Sequence, residues 1–429
     1  MSQQTKGTPA RALADSLLQR YRDVRAASER LCETLETEDY VVQTVPDVSP
    51  TKWHLAHTTW FFETFLLKDA VSGYTSPDPI YEYLFNSYYN AVGKQWTRQD
   101  RGLLSRPTVK GVYAYRTYVD EAMTEFLTTA DIATIKKVAG IVEVGLNHEQ
   151  QHQELMVTDI KHVLAFNPLH PVYRAGDAPA GEAPQALDWV EFPEGMHSIG
   201  HDGKGFGYDN EYPRHRTFAP GFKLATRLVT SGEFRAFIED GGYKRAELWL
   251  SAGWATVQDQ EWSAPLYWDR RNSVCHAFTL SGFRAVNDTE PVCHVSYFEA
   301  DAYARWAGRR LPTEFEWEVA ASGEPIEGNF VDAERFHPVP ASTRAWNGRF
   351  QQLYGDVWEW TMSQYSAYPG YRPAPGAIGE YNGKFMCNQF VLRGGSCATP
   401  ANHIRRTYRN FFQPEARWQF SGIRLADDA

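Results

Sequence analysis

The chain has 429 residues, 43% hydrophobic and 22% charged, a balance that fits folded domains and excludes a disordered chain. At roughly 150 residues per domain, this length predicts two or three domains, each able to bury its own core. The 43 Lys and Arg against 53 Asp and Glu leave a net charge of −10, which argues against nucleic-acid or anionic-membrane partners. The opening MSQQTKGTPARALADSLLQR lacks the apolar core of a secretory signal. No apolar run approaches the roughly 18 residues that a spanning helix needs. Cys32, Cys275, Cys293, Cys387 and Cys397 are odd in number and form no close pair, which points to a reducing compartment. A cytoplasmic protein is expected, and its 14 Trp and 23 Tyr imply aromatic-rich pockets.

Residues 1–166 read as helices. Leu13, Leu17, Tyr21, Val24, Leu31 and Leu35 recur on one helical face. A second helix is expected at Ser49-Pro50, with Ser as the cap and Pro in the first helical position. A third pattern runs from about Thr129 to Leu164 and stops at Asn167-Pro168. Residues 167–188, rich in Pro, Ala and Gly, read as a linker. From 189 to 429, short strand-like runs alternate with turns, and helices are expected at SGEFRAFIED and SYFEADAYARWAG. The architecture is a multidomain α and α+β chain, with a helical bundle followed by a larger mixed domain.

His148 and His152 lie four apart, so a helix projects both imidazoles from one face. That spacing lets two imidazoles share a metal. HEQQH also fits the zinc-protease pattern HExxH, yet Thr158 stands where the extended motif requires a third His. A better third ligand lies upstream, where Trp53, His57, Trp60 and Thr64 form one helical stripe. An imidazole between tryptophans on a buried face needs a polar partner, and a metal supplies one. His54, near the helix start, is expected to cap the helix or to support a ligand. Three imidazoles suit zinc, copper or iron, and spacing does not choose among them. Gln151 and Glu154 flank the pair and can orient the rings or hold waters, and Gln151 is counted among the expected substrate contacts.

The segments WHLAHTTWFFE and NHEQQHQELM resemble the DinB-like helical bundle. GYDNEYPRHR at 207–216, GRRLPTEFEWEVA at 308–320, YGDVWEWT at 354–361, VLRGGSC at 391–397 and TYRNFFQPEARWQFSGIRLA at 407–426 resemble the formylglycine-generating-enzyme (sulfatase-modifying factor) domain. That domain has a C-type-lectin-like fold. The order of the two resembles the iron(II)-dependent sulfoxide synthases of ergothioneine biosynthesis, and the resemblance covers nearly the whole chain.

The resemblance implies that His57, His148 and His152 bind Fe(II). It also implies that the chain joins a cysteine-type thiol to C2 of hercynine, with O2 as co-substrate. Tyr88 and Tyr89 match an adjacent tyrosine pair that supplies a proton or hydrogen atom to the reacting oxygen. Arg98 and Arg101 match a clamp on the thiol substrate's carboxylate, a role suited to guanidinium forks. Asn410, Phe411 and Phe412 match a loop that closes over hercynine, where aromatic faces attract its quaternary ammonium. In some relatives an acid stands where this chain has Phe412, so the donor is expected to be cysteine rather than γ-glutamylcysteine. The alternatives are an ovothiol-type histidine–cysteine synthase, a zinc hydrolase using HEQQH, and formylglycine generation, which needs a reactive cysteine pair.

Overall fold

The computed structural model describes residues 9–176, 186–271, 274–342 and 348–429. Two compact units emerge: Met1–Phe166 with Gly376–Glu380, and Asn167–Pro375 with Tyr381–Ala429. Residues 177–185 of the expected linker lie outside the described residues, as do the first eight residues of the opening segment.

In the first unit, helix α1 (Pro9–Arg30) buries Leu17, Tyr21 and Val24, and ends before Leu31 and Leu35. Helix α2 (Thr51–Phe62) starts one residue later than its sequence suggests. Pro50 is the cap, in an extended conformation (φ −58°, ψ 139°), and no side chain caps the helix. Ser49 is drawn away by tertiary contacts: its amide donates to Asp159 Oδ2 at 2.8 Å, and its hydroxyl accepts from Arg101 at 2.9 Å. All of α2 is buried, so it has no solvent face.

Helix α3 (Val109–Thr129) has no counterpart in the sequence reading, and Thr108 caps it by accepting from the Gly111 amide at 3.0 Å. Helix α4 (Ile132–Phe166) ends just ahead of Asn167-Pro168, as expected. Gly145 lets α2 and α4 approach closely, since a Cβ there would stand 2.5 Å from the Phe62 ring. That contact lies one turn before His148.

The four helices are tied by a buried charge cluster. Glu149 Oε1 accepts from Arg116 at 2.6 Å and from the Ser28 hydroxyl at 2.7 Å, while Oε2 accepts from Arg25 at 3.0 Å. Arg25 also donates to Asp120 on α3 and to the Thr59 hydroxyl on α2. Burial pushes the Glu149 carboxyl up, but Arg116 and Arg25 outweigh it and hold it down at about 2. This carboxylate is structural.

In the second unit, a four-stranded sheet runs Asn410–Phe412, Phe390–Arg393, Trp358–Gln364, Ser421–Gly422. Its last pairing is parallel and the others antiparallel. The helices expected from sequence are Ser231–Glu239 and Tyr297–Trp306, each opening on a reciprocal Thr–Glu or Ser–Glu cap. Helix Glu314–Ala320 supplies buried acids to arginines: Glu314 pairs with Arg393 and Arg409, and Glu318 with Arg393. Arg409 Nη1 also donates to the Asn210 carbonyl at 2.9 Å, anchoring the strand that follows it.

Replacing Glu149 with Gln leaves two buried guanidiniums short of charge. A loss of about 3–5 kcal/mol is expected, seen as a melting temperature lower by something on the order of 10 °C. Thermal unfolding followed by circular dichroism checks it.

Candidate metal centre

Helices α2 and α4 bring His57, His148 and His152 together, all buried, with their ligand atoms within 4.8 Å of one another. Among the described residues no other group of three His, Cys, Asp or Glu side chains gathers in this way. His57 Nε2 and His148 Nε2 stand 3.2 Å apart. Two nitrogens bound at roughly 2.1 Å and at right angles around one ion would stand about 3.0 Å apart. The geometry fits a shared ion.

Their chemistry fits too. Burial lowers all three imidazoles below their usual range, His148 to about 3, so each is neutral near pH 7 and keeps a lone pair. Neighbouring histidines add to the depression of His57 and His152. His57 Nδ1 lies 2.6 Å from the Phe85 carbonyl, which can only accept. The proton therefore sits on Nδ1, and Nε2 is bare toward His148. His152 Nδ1 lies 2.8 Å from His54 Nδ1, and His54 Nε2 lies 2.9 Å from Asp159 Oδ2. His54 thus partners His152 and is not a helix cap.

Around the trio runs a column of flat groups. Trp53 stacks on His57 at 4.7 Å and 12°, and Trp60 stacks on the other side at 5.4 Å and 15°. Beyond Trp53, the Arg101 guanidinium lies 3.3 Å from the ring centroid. Beyond Trp60 come Tyr89 at 5.7 Å and then Tyr88, stacked on Tyr89 at 4.5 Å. Tyr89 is fully buried against Trp60 and Phe65, whereas Tyr88 is half-buried, and their hydroxyls stand 3.4 Å apart.

Arg101 and Arg98 part ways. Arg101 is buried and donates to the Ser49 and Ser87 hydroxyls, its Nε has no partner, and no described carboxylate pairs with it. Burial, with Arg98 second, disfavours its charge. Such a buried fork with a spare donor has the chemistry to receive an anion. Arg98 is exposed and donates to the Asp47 carbonyl at 2.6 Å. The two guanidiniums of RxxR therefore stand in different surroundings, Arg101 buried and Arg98 exposed.

Gln151 is half-buried on α4, one position before His152. In the second unit, Asn410, Phe411 and Phe412 form an edge strand rather than a loop, with Leu392 opposite Asn410. Phe411 stacks on Tyr365 at 4.0 Å, and Phe412 meets Trp418 at 6.0 Å. Sequence reasoning missed Asp159, which lies seven residues past His152 and so on the same helical face. The structure also decides the role of Glu149 in HEQQH. A zinc protease needs that acid beside its water, but here both oxygens are taken by Arg25, Arg116 and Ser28. The hydrolase reading loses its general base.

Residues 20–156 match the DinB superfamily, and residues 175–429 match the sulfatase-modifying factor enzyme 1-like domain. The chain is 32% identical to the hercynine oxygenase of Mycolicibacterium smegmatis, over 95% of this chain and 98% of that protein. It is 34% identical to the hercynine oxygenase of Mycolicibacterium thermoresistibile, over 89% of this chain and 88% of that protein. The formylglycine-generating enzyme of Streptomyces coelicolor is 29% identical over 60% of this chain and 95% of its own length.

His148→Ala removes one of three neutral donors. After anaerobic loading with iron(II) and desalting, the unaltered chain is expected to keep about one ion per chain and the variant essentially none. Elemental analysis reads the difference, and retention by the variant would remove His148 from the ligand set.

Proposed function

The chain belongs to the hercynine oxygenase family, and from that premise we propose that it is a non-haem iron(II) sulfoxide synthase of ergothioneine biosynthesis. Its reaction joins cysteine to C2 of hercynine and oxidises the sulfur. The balance is one thiol S–H and one C2–H lost, one C–S bond and one S=O bond formed, and O2 reduced with its second oxygen leaving as water. The observation that carries this reading is the neutral trio His57, His148 and His152, whose nitrogens converge on one point between two helices. Iron(II) held by these three residues would supply the Lewis acidity that activates the thiol and electrons for the reduction of O2.

The chain's own groups divide the remaining work. Arg101 receives the thiol substrate's carboxylate, since its buried fork has no carboxylate of its own. Tyr88 and Tyr89, joined hydroxyl to hydroxyl, hold the proton that the reacting oxygen takes. Asn410 contacts the α-substituents of hercynine, and Phe411 and Phe412 offer faces to its trimethylammonium. Gln151 steadies the substrates beside His152. Cysteine is preferred over γ-glutamylcysteine because Phe412 offers no carboxylate to the larger donor's extra groups. The ovothiol-type reading places histidine in the acceptor's position, and the same assay separates it.

Iron-loaded protein is mixed anaerobically with hercynine and either thiol, and O2 is then admitted. A hercynine–cysteine sulfoxide with one O2 consumed per product is expected. Uptake with only oxidised thiol would displace hercynine as acceptor and bring histidine forward, and no uptake with either thiol would overturn the synthase reading. Tyr88→Phe and Tyr89→Phe should differ in this assay. The phenol that serves the oxygen lowers sulfoxide yield about 10²–10⁴-fold when lost and diverts O2 to thiol oxidation, while the other changes little. An unchanged product ratio in both variants would end the proton-donor role.

A further inference from the structure

Resting on the metal role of the trio, we infer that Asp159 and His54 form a relay that fixes which nitrogen of His152 faces the ion. Asp159 Oδ2 accepts from the Ser49 amide at 2.8 Å and stands 2.9 Å from His54 Nε2. An oxygen already accepting from a backbone N–H is an acceptor toward His54 as well. The proton of a neutral His54 therefore sits on Nε2, and its Nδ1 is then bare. That bare nitrogen lies 2.8 Å from His152 Nδ1, a distance at which one of the two must donate. Only His152 can. Its proton is held on Nδ1, and the Nε2 lone pair is left for the metal.

The opposite arrangement fails at one atom. With the proton on His54 Nδ1, His152 would carry its own on Nε2, where no metal could bind, and His54 Nε2 would turn a lone pair on Asp159. All three groups are buried, so no water can repair the mismatch. His57 solves the same problem with the Phe85 carbonyl, and His152 solves it with His54, a side chain 98 residues away. The two are positioning residues. Neither needs to touch substrate.

The relay predicts a graded response in the metal-free protein titrated with cobalt(II), whose visible absorption reports affinity and geometry. His54→Phe removes the acceptor and should weaken binding about 10–100-fold. His54→Asn can place its side-chain oxygen where Nδ1 was, and should restore affinity to within a few-fold. Asp159→Asn keeps an oxygen for Ser49 and His54, because the other carboxylate oxygen is unpartnered and leaves room for the amide. It should bind nearly as the unaltered chain does. Equal affinity in His54→Phe, or equal loss in His54→Asn, overturns the relay.

Nitrogen-15 spectra of histidine-labelled, metal-free protein read the tautomer without any substitution at His54. Nδ1–H at His152, identified by its disappearance in His152→Ala, is expected. Nε2–H there overturns the relay even if every variant folds poorly. An unaltered chain that takes up no cobalt would instead overturn the metal reading, and the nitrogen spectrum would still decide the relay.

Discussion

The 3.6-residue period of α4 is the constraint on which the first unit depends. It turns His148, His152 and Asp159 toward α2, and it turns Glu149 and Gln153 toward α1. The two faces do opposite things with charge. One buries a carboxylate between two guanidiniums, and the other buries three imidazoles that stay uncharged. From Gly145 to Leu164 nearly every residue of α4 is buried, so neither task can be left to solvent and each polar group must find its partner on a neighbouring helix. This is why α1, α3 and α2 all contribute to the Glu149 cluster, and why Gly145 must let α2 come close.

Rigidity then passes from the scaffold to the site. His57 is held between Trp53 and Trp60 and bonded to a backbone carbonyl, which leaves its ring no freedom to turn. The same stack sets Arg101 at one end and the tyrosine pair at the other. His57, Arg101 and the tyrosine pair are therefore spaced by aromatic packing. Positioning of that kind suits a reaction whose partners must meet at one point.

The parts legible in sequence are those written locally. Four-residue spacing showed that His148 and His152 share a face, and the Trp–His–Trp stripe singled out His57. Motifs of seven to twenty residues carried the second fold. What escaped depends on distant partners. Helix Val109–Thr129 has apolar residues at helical steps, but Arg116 is buried among them and blurs the pattern, because its counter-charge sits on α4. Ser49 looked like a cap, yet Asp159 and Arg101 claim its amide and hydroxyl. Arg98 and Arg101 looked equivalent, and only Arg101 is buried, because its residue alone faces Trp53 and Ser49. Glu149 went unremarked, and the arginines that fix its role lie 33 and 124 residues away.

Charge balance ties the proposed substrates to the site more closely than the chain's net charge does. The trio contributes no charge, Arg101 contributes a buried positive one, and Asp159 is the neighbouring acid that its hydrogen bonds commit to Ser49 and His54. A divalent ion would raise the local excess of positive charge in a region of low dielectric, where such an excess is costly. A thiolate on the ion and a carboxylate on Arg101 remove most of that excess together. A cysteine-type ligand carries both anions on one short frame. On this account a cysteine-type ligand matches the buried guanidinium that no described carboxylate pairs, and the net charge of the chain has no part in that match.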